Sequence, residues 1–348
     1  MSGPLYVPVL PAAQHATAAY QQLSPAVQGV VVPLWNLPPR HGSARDVLVA
    51  HTRREAHSVS RVQRHHAAWI DTPFAGELQL RVFMSVLADL GELSALRPVT
   101  GPDRPGFQQA AALEAARRSG SGVGIRVALP GEWDDHATHM VRALTDRLDP
   151  ADEADLLLDL GAVLVDRPDA GKEALRALDA LVPLIPWRTA VFLGGGFPSV
   201  TARILEEGLR SEVRTDWRAW QELTAAARGY VPWLSYGDYG IQPARAIARE
   251  PSGGGGGPAW GVLRYTTAES FVLAKVLARG EDRFAVNRAA ARQLLELPDF
   301  RGAVAGAGES WLRDCARGHG PTGTGNASVW LRVGNLQHMT YVVRSLRE

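Results

Sequence analysis

With 348 residues and 46% hydrophobic content, the chain can bury a large core as one big domain or two ordinary ones. Its 37 basic and 36 acidic residues nearly cancel, so no global charge drives it onto nucleic acid or an anionic membrane. The only lysines are Lys172 and Lys275 and the only cysteine is Cys315, which leaves Schiff-base chemistry, intramolecular disulfides and cysteine-rich zinc sites almost without candidates.

The N-terminal text gives no sign of export. The stretch MSGPLYVPVLPAAQ lacks a positive leader and an apolar run of signal-peptide length. No apolar run in the chain approaches the roughly 20 residues that span a bilayer. We therefore expect a cytoplasmic protein with no membrane partner.

Short apolar runs alternate with longer segments of helical periodicity from Tyr6 to about Tyr239. The predicted strands are Tyr6–Leu10, Val27–Leu37, Ala68–Pro73, Leu96–Thr100, Gly122–Leu129, Ala154–Gly161, Thr189–Gly194 and Gly229–Ser235. Strands that alternate with helices in this way indicate βαβ crossovers and a parallel sheet. Eight strands favour an α/β fold of the TIM-barrel-like (β/α)8 type, which typically takes about 250 residues. A doubly wound open sheet is the alternative.

Helical periodicity fills the gaps between these runs. The predicted helices cover residues 12–24, 45–62, 76–91, 106–120, 132–148, 171–185, 199–209 and 216–229. Glycines stand where several of these helices should end, as in LADLGEL and RRSGSG.

The chain is predicted to divide into three segments. Residues 1–245 would form the barrel, and residues 246–258, which include five consecutive glycines, would form a flexible loop. Residues 259–348 would form an appended C-terminal α+β region that packs over the barrel mouth as part of the same structural unit.

Within the appended region, residues 270–279 and 287–299 are predicted to be helical. Trp330 and Arg332 are read as alternate positions on one face of a strand. The polar, glycine-rich stretch 319–328 is predicted to be a mobile loop.

Three aspartates are the candidate catalytic residues: Asp71, Asp159 and Asp238 come at or just after the ends of strands three, six and eight. Active sites of such barrels lie at the carboxyl ends of the strands, where Asn36 also falls. Carboxylates gathered there could hold Mg²⁺ or divide acid and base roles. Alternatively, each aspartate caps the helix that follows it.

Three glycines, Gly194, Gly195 and Gly196, end the seventh strand and precede Ser199. Loops after strands seven and eight of many barrels bind phosphate through backbone N–H groups. The spacing matches neither the dinucleotide fingerprint nor the P-loop. A tight turn that packs a helix closely on the barrel is the alternative.

Polar and aromatic residues that core packing does not require concentrate after the eighth strand. The candidate ligand-binding residues there are Tyr239, Gln242, Arg264, Tyr265, Arg332, Asn335 and His338. Arginines among them could neutralise an anionic ligand. Alternatively, Trp330 packs the appended region onto the barrel and Arg332 pairs with a carboxylate.

Two further clusters of basic residues give weaker indications of function. His136 and His139 share a helical face, but without an H-E-x-x-H motif a solvated face is favoured over a metal site. The chain has no recognised nucleic-acid module and a balanced charge, which argues against nucleic acid as a partner. Arginines 53, 54, 61 and 64 would be the footprint of such binding.

Several short motifs resemble the beta protein family, which is named for a protein of T-even phages. They are LYVPVL, LSPAVQGVVVPLWNLPP, WID, LLLDLG, YGDYGIQPA, LRYTT and WLRVGNLQHMTYV, in family order from Tyr6 to Val343. The resemblance implies a barrel-like α/β architecture and a phage or bacterial defence context, and it implies no established reaction. Relatives often carry a lysine, an acidic residue and a histidine where this chain has Pro11, Asn36 and Pro243.

Two functions follow as hypotheses. The first is binding of a small anionic or phosphorylated ligand at the barrel mouth, with phosphoester or glycosidic hydrolysis as the natural reactions. The second is recognition of a phage or host protein partner without catalysis, which loss of the family lysine and histidine would favour. Convergence of the three aspartates within metal-bridging distance would distinguish a metal-dependent enzyme from a binding protein.

Overall fold

The computed structural model describes residues 3–90, 94–201, 208–250, 257–319 and 323–348. The strands are β1 (Tyr6–Pro11), β2 (Leu34–Asn36), β3 (Ala68–Asp71), β4 (Leu96–Thr100), β5 (Val123–Ala128), β6 (Ala154–Ala162), β7 (Thr189–Gly195), β8 (Leu209–Val213), β9 (Leu234–Asp238), β10 (Trp260–Thr266) and β11 (Ser270–Leu277). The α-helices are α1 (Gln14–Gln21), α2 (Pro25–Gln28), α3 (Arg45–Val62), α4 (Glu77–Leu90), α5 (Gly106–Ser119), α6 (Asp135–Thr145), α7 (Ala170–Leu181), α8 (Thr215–Ala225), α9 (Arg283–Leu295), α10 (Ala307–Arg317) and α11 (Ala327–Ser345).

Eight parallel strands, β1 to β7 and β9, close into a barrel in which β1 pairs with both β2 and β9. The predicted (β/α)8 barrel is therefore confirmed, and closure rules out the open sheet. The predicted helices over 45–62, 76–91, 106–120 and 171–185 surround it with boundaries within a few residues. Because the strands are parallel, their carboxyl ends meet on one face, which we call the mouth.

Side chains of the strands form two apolar layers because successive residues point to opposite faces. The layer inside the barrel includes Val7, Trp69, Leu157 and Val191, all fully buried. The outer layer packs against the helices. Strands buried on both faces explain the nearly uninterrupted apolar text of β6, ADLLLDL.

The centre of the mouth is covered by the segment that follows β9. Tyr239, Ala244 and Ile247 join the apolar layer inside the barrel, and residues Ala244–Ala248 form a 3₁₀-helix. Residues 246–248 of the predicted flexible loop are thus helical, and residues 251–256, which include four of its five consecutive glycines, lie outside the described residues. A ligand that binds at this mouth must therefore bind at its rim.

The C-terminal unit comprises β8, β10, β11, α9, α10 and α11. Its antiparallel sheet has the order β10-β11-β8. Strand β8 comes from within the predicted barrel segment, so the division at residue 245 needs correction. The helix predicted over 199–209 ends inside this strand, and residues 202–207 lie outside the described residues.

Two C-terminal predictions were wrong in secondary structure. The helix predicted over 270–279 is strand β11, which lies in the middle of its sheet and is buried on both faces, so its sequence shows no alternation. The strand predicted to hold Trp330 and Arg332 is helix α11, 19 residues long and capped by the Asn326 side chain. Neither α11 nor another helix in the described ranges is long and apolar enough to span a membrane.

Two predicted barrel strands begin in the wrong place because proline shapes both segments. Residues 27–37 start in helix α2, which has Pro25 at its first position, and only Leu34–Asn36 is a strand. Residues 229–235 contain a 3₁₀-turn with Pro232, and strand β9 runs on from Leu234 to Asp238. Asp238 is consequently the last residue of the strand rather than a residue after it.

Candidate functional site

An ion-pair network lies inside the mouth, centred on Arg126 of β5. Its Nε and Nη2 donate to Asp159 Oδ2 at 2.8 and 2.6 Å, and its Nη1 donates to Asp71 Oδ2 at 2.8 Å. The same Nη1 donates to Asn36 Oδ1 at 2.8 Å. Arg126 thus connects three strand ends with one buried guanidinium, only 5% exposed.

Tyr239 and Arg104 complete this mouth network. The Tyr239 hydroxyl donates to Asp159 at 2.7 Å, and Arg104 Nη2 donates to Asp71 Oδ2 at 3.2 Å. Burial, helped by the charge of Asp159, raises the pKa of Tyr239 well above its usual value, so the phenol stays protonated and keeps donating. Burial opposes the charge of Arg126, but the nearby acids outweigh it and raise its pKa.

The three predicted catalytic aspartates do not converge. Asp71 and Asp159 share Arg126, whereas Asp238 lies under the C-terminal unit with other partners. Among the described residues, no three His, Cys, Asp or Glu side chains come together to hold a metal ion. The donor set does not fit the Mg²⁺ site considered from the sequence, because a guanidinium stands between the two carboxylates that do approach each other.

Asp238 joins the barrel to the C-terminal unit. Its Oδ2 lies 2.9 Å from His338 Nε2, and its Oδ1 accepts from the Tyr6 hydroxyl at 2.6 Å and from the Gly240 amide at 2.9 Å. The other ring nitrogen of His338 lies 2.8 Å from Thr266 Oγ1. His338 and Thr266 are fully buried, so this Asp-His-Thr chain is a structural link with no access to a substrate.

Electrostatics explain why Asp238 stays ionised there. Burial favours its protonated form, but His338 and the hydrogen bonds from Tyr6 and Gly240 outweigh it and lower the pKa of Asp238. The nearby Asp216, which accepts a hydrogen bond from the Tyr236 hydroxyl at 2.7 Å, has a pKa shifted in the opposite direction. Burial raises its pKa, and the charge of Asp238 adds to the effect.

The glycines that end β7 are closely packed. Gly194 is in register with Asp238, and a Cβ at Gly195 would lie 2.8 Å from Ala244 Cβ. A Cβ at Gly196 would overlap the Asp216 carboxylate, whose carbon would be 2.8 Å away. The structure therefore gives these glycines a packing role, and their predicted role in anion binding stays a prediction.

The Gly196→Ala variant tests this packing role. We expect it to lower the free energy of unfolding by about 1–3 kcal/mol, because the added methyl group forces Asp216 out of place. Chemical denaturation of the wild type and the variant measures the difference. Gly131→Ala is the matched control, since a Cβ there meets open space. Equal stability of wild type and Gly196→Ala would contradict the packing role.

Four polar residues meet at the rim of the mouth between β1, β9 and the C-terminal unit, and Arg332 lies on helix α11 one turn before one of them. This arginine cluster consists of His15, Gln242, Arg264, Arg332 and Asn335. His15 lies in the first turn of α1, directly after β1, and Gln242 follows the neighbouring strand β9.

Helix α11 and strand β10 supply the other three members. Asn335 Oδ1 lies 3.0 Å from the Cβ position of Gly240, which places it beside the loop after β9. A Cβ at Gly334 would lie 3.4 Å from Arg264 Cβ, so the small glycine lets α11 approach β10 closely at this point. Arg332 lies one helical turn before Asn335.

Four members of the arginine cluster carry buried polar atoms that lack a hydrogen-bond partner. They are His15 Nε2, Arg264 Nε, Arg332 Nε and Asn335 Nδ2. Asn335 as a whole is 2% exposed. Buried polar groups in proteins are nearly always paired, with protein, water or ligand. These unpaired atoms make the arginine cluster a candidate site for a polar partner.

Neither arginine of the cluster forms an ion pair with a carboxylate in the described part of the chain. Arg264 Nη1 donates to its own strand, at Val262 O, and its guanidinium stacks 5.6 Å from the centre of the Phe197 ring. Burial alone lowers the pKa of Arg264 to about 10, so it stays charged at neutral pH. Burial and the charge of Arg264 lower the pKa of His15, against the effect of Gln242, which leaves the imidazole neutral.

The structure separates the other predicted ligand-binding residues from this cluster. Tyr265 follows Arg264 on β10 and so points to the opposite face of the sheet, where it packs in the core of the C-terminal unit. Tyr239 belongs to the mouth network and His338 to the link with Asp238. Gln242, Arg264 and Asn335 are the predicted residues that come together, and Arg332 lies one helical turn before Asn335 on α11.

Sequence reasoning missed His15 and the buried partners of Asp238. The signal for His15 was its position in LPAAQHATAAY, immediately after the first strand and hence at the mouth. The sequence predicts Tyr6 only as the first residue of a strand. Its hydroxyl reaches Asp238 across the pair β1 and β9, a contact that only register reveals.

A closed parallel barrel with two unpaired arginines at its rim, under a C-terminal unit, defines a (β/α)8 barrel protein with a candidate anion site. The chain belongs to the beta protein family, whose model, described as Beta protein, matches residues 6–344. No curated protein matches the chain. Similar solved structures include two variants of the tryptophan synthase alpha-subunit from the hyperthermophile Pyrococcus furiosus. Each is 14% identical, covers 69% of this chain and 89% of that chain, and has a TM-score of 0.42.

Proposed function

We propose that the protein binds a small anionic ligand, through a phosphate or carboxylate group, at the arginine cluster. The observation that carries the proposal is Arg264, a charged side chain with a buried, unpaired Nε and no carboxylate partner in the described residues. Guanidinium groups donate in a planar fork that matches carboxylate and phosphate oxygens.

Energetics support a ligand at this place. Burying a charge without a partner is costly, and proteins normally avoid it by pairing the charge. Two other buried arginines of this chain are paired in this way: Arg126 and Arg104 both form an ion pair with Asp71. At the arginine cluster Arg264 lies among neutral groups, so an incoming anion would meet the attraction of this cation and donors from Asn335 and Gln242.

The cluster supports recognition better than hydrolysis. Asp71 and Asp159 are held by Arg126, and Asp238 is held by His338, which leaves the three predicted catalytic carboxylates engaged. His15 is the imidazole of the cluster, and burial lowers its pKa so that it is a neutral hydrogen-bonding group at neutral pH. Binding without turnover is also what a recognition protein in a phage or defence setting would require.

Isothermal titration of the full-length protein with inorganic phosphate, citrate and a simple phosphate monoester tests the proposal. We expect saturable binding of at least one of these anions at low salt. Arg264→Gln and Arg332→Gln should each weaken it at least tenfold, because a hydrogen bond to a charged group contributes about 1.5–3 kcal/mol. Binding should strengthen as the pH falls and His15 becomes protonated.

Arg245→Gln is the matched control, since Arg245 is an exposed arginine near the mouth that contacts Ser199. It should bind the anion as the wild type does. Equal loss in Arg245→Gln and Arg264→Gln would show a diffuse charge effect and overturn the assignment. Absence of binding to the whole panel would overturn the proposed function itself.

A further inference from the structure

Helix α3 carries a row of cations on its outer face, on the barrel exterior. Leu48, Thr52, Ala56 and Val59 form its buried face. The opposite face exposes four arginines and a histidine, which we call the α3 basic face: Arg53, Arg54, His57, Arg61 and Arg64. Arg64 lies two residues beyond the end of the helix, after Gln63. With a rise of 1.5 Å per residue, the three arginines on the helix lie within about 12 Å along its axis.

The arginines of the α3 basic face lack acidic partners. In the described residues none of the four forms an ion pair, and Arg54 contacts only the His51 ring. The neighbouring exterior helices differ, because their exposed arginines pair one turn away with an acid, as Arg81 does with Glu77 and Arg118 with Glu114.

The elements packed against α3 carry few acids. Residues 3–39, which include the neighbouring helix α1, contain no Asp or Glu, and helix α4 carries Asp89 and Glu77, the latter paired with Arg81. The acids of α3 itself are Asp46, at its first turn, and Glu55, which pairs with Arg40. The near-zero net charge of the whole chain is therefore a sum over surfaces of different sign, and this face of the exterior is strongly positive.

We propose that the α3 basic face binds the phosphate backbone of duplex DNA without reading its sequence. Arg53, Arg54 and Arg61 project from the outer face of a rigid helix, and with Arg64 beyond its end they present four phosphate donors on one side of the barrel exterior. Contacts of arginines to phosphates position a protein on the duplex and carry no sequence information by themselves.

The composition of the face favours a duplex over a single strand. Single-strand binders stack bases on aromatic side chains, and the segment 45–66 contains no Phe, Tyr or Trp.

Binding to the phosphate backbone of DNA is governed by counterion release, so its salt dependence reports the number of phosphates contacted. Four arginines predict a slope of about −3.6 for log K against log salt on duplex DNA, a loss of about 100-fold between 50 and 200 mM salt.

Fluorescence anisotropy of a labelled 20-base-pair duplex with the full-length protein, repeated from 50 to 200 mM NaCl, measures this slope. The variant with Arg53, Arg54, Arg61 and Arg64 all changed to Gln should lose the salt dependence and bind at least tenfold more weakly at 50 mM. Thermal melts establish that it folds, which is expected because all four side chains are exposed.

The control variant removes the same charge from other exterior helices by changing Arg81, Arg117, Arg118 and Arg176 to Gln. It should bind DNA as the wild type does. Equal weakening of both variants, or no binding by the wild type at 50 mM salt, would overturn the proposal. So would tighter binding to a single strand, or to vesicles with 30% anionic lipid, than to the duplex. Arg264→Gln separates this face from the arginine cluster, since it should leave DNA binding unchanged.

Discussion

Replacing Arg126 by Met should lower the free energy of unfolding by about 3–5 kcal/mol. The substitution keeps an unbranched side chain inside the barrel but removes the cation between Asp71 and Asp159. Two buried carboxylates would then lose their shared partner, and breaking a buried ion pair from one side costs this much in other proteins. Urea denaturation followed by tryptophan fluorescence measures the difference.

A triple variant separates the lost charge from lost packing. Arg126→Met combined with Asp71→Asn and Asp159→Asn removes the cation together with both anions, so it should recover at least half of the lost stability. If the triple variant is less stable than the single variant, repulsion between the carboxylates is not the cause. A loss below about 1 kcal/mol in Arg126→Met would contradict the central role of the ion pair.

Truncating Asp238 to Ala should also cost about 3–5 kcal/mol. The change leaves three buried donors without an acceptor: the Tyr6 hydroxyl, the Gly240 amide and the His338 ring. Each buried donor that loses its acceptor costs about 1–3 kcal/mol. Because these groups join β9 to β1 and to α11, the C-terminal unit should loosen first. Hydrogen exchange in α11 measures this local opening.

Asp238→Asn tests the charge alone and gives a pH signature. The folded-state pKa of Asp238 is lowered, so its ionised form stabilises the fold above the unfolded value of about 3.9 and this contribution disappears as the pH falls through the folded value. The stability difference between the wild type and Asp238→Asn should therefore be present at pH 7 and shrink below about pH 4. A difference that does not change with pH would assign Asp238 a role independent of charge. Because the charge of Asp238 also raises the pKa of Asp216, the comparison is repeated in an Asp216→Asn background, where Asp216 does not titrate.

The barrel was predictable because its signal is repeated eight times. Apolar runs such as 68–73 and 154–161 alternate with amphipathic helices, and each unit supports the same topology. The C-terminal unit offered no such repetition. Strand β11 and helix α11 are buried on several sides, so neither shows the period that distinguishes a strand from a helix.

The position of the candidate site in the fold was predictable, but only some of its residues were. The rule that barrel strands end at the functional face placed Gln242 at the mouth, and motif composition pointed to Arg264, Arg332 and Asn335. The rule could not show that Asp71 and Asp159 neutralise Arg126, because that contact spans three strands. It also could not separate Arg264 from Tyr265, since only strand alternation on β10 places them on opposite faces.

The arginine cluster has its members on two parts of the fold: His15 and Gln242 belong to the barrel, whereas Arg264, Arg332 and Asn335 belong to the C-terminal unit. A bound anion would bridge the two parts and add its binding free energy to the contacts between them. At a ligand concentration of 100 times Kd this linkage amounts to about 2.7 kcal/mol. Under the proposed function, the concentration of the ligand would then set how firmly α11 is held against the barrel.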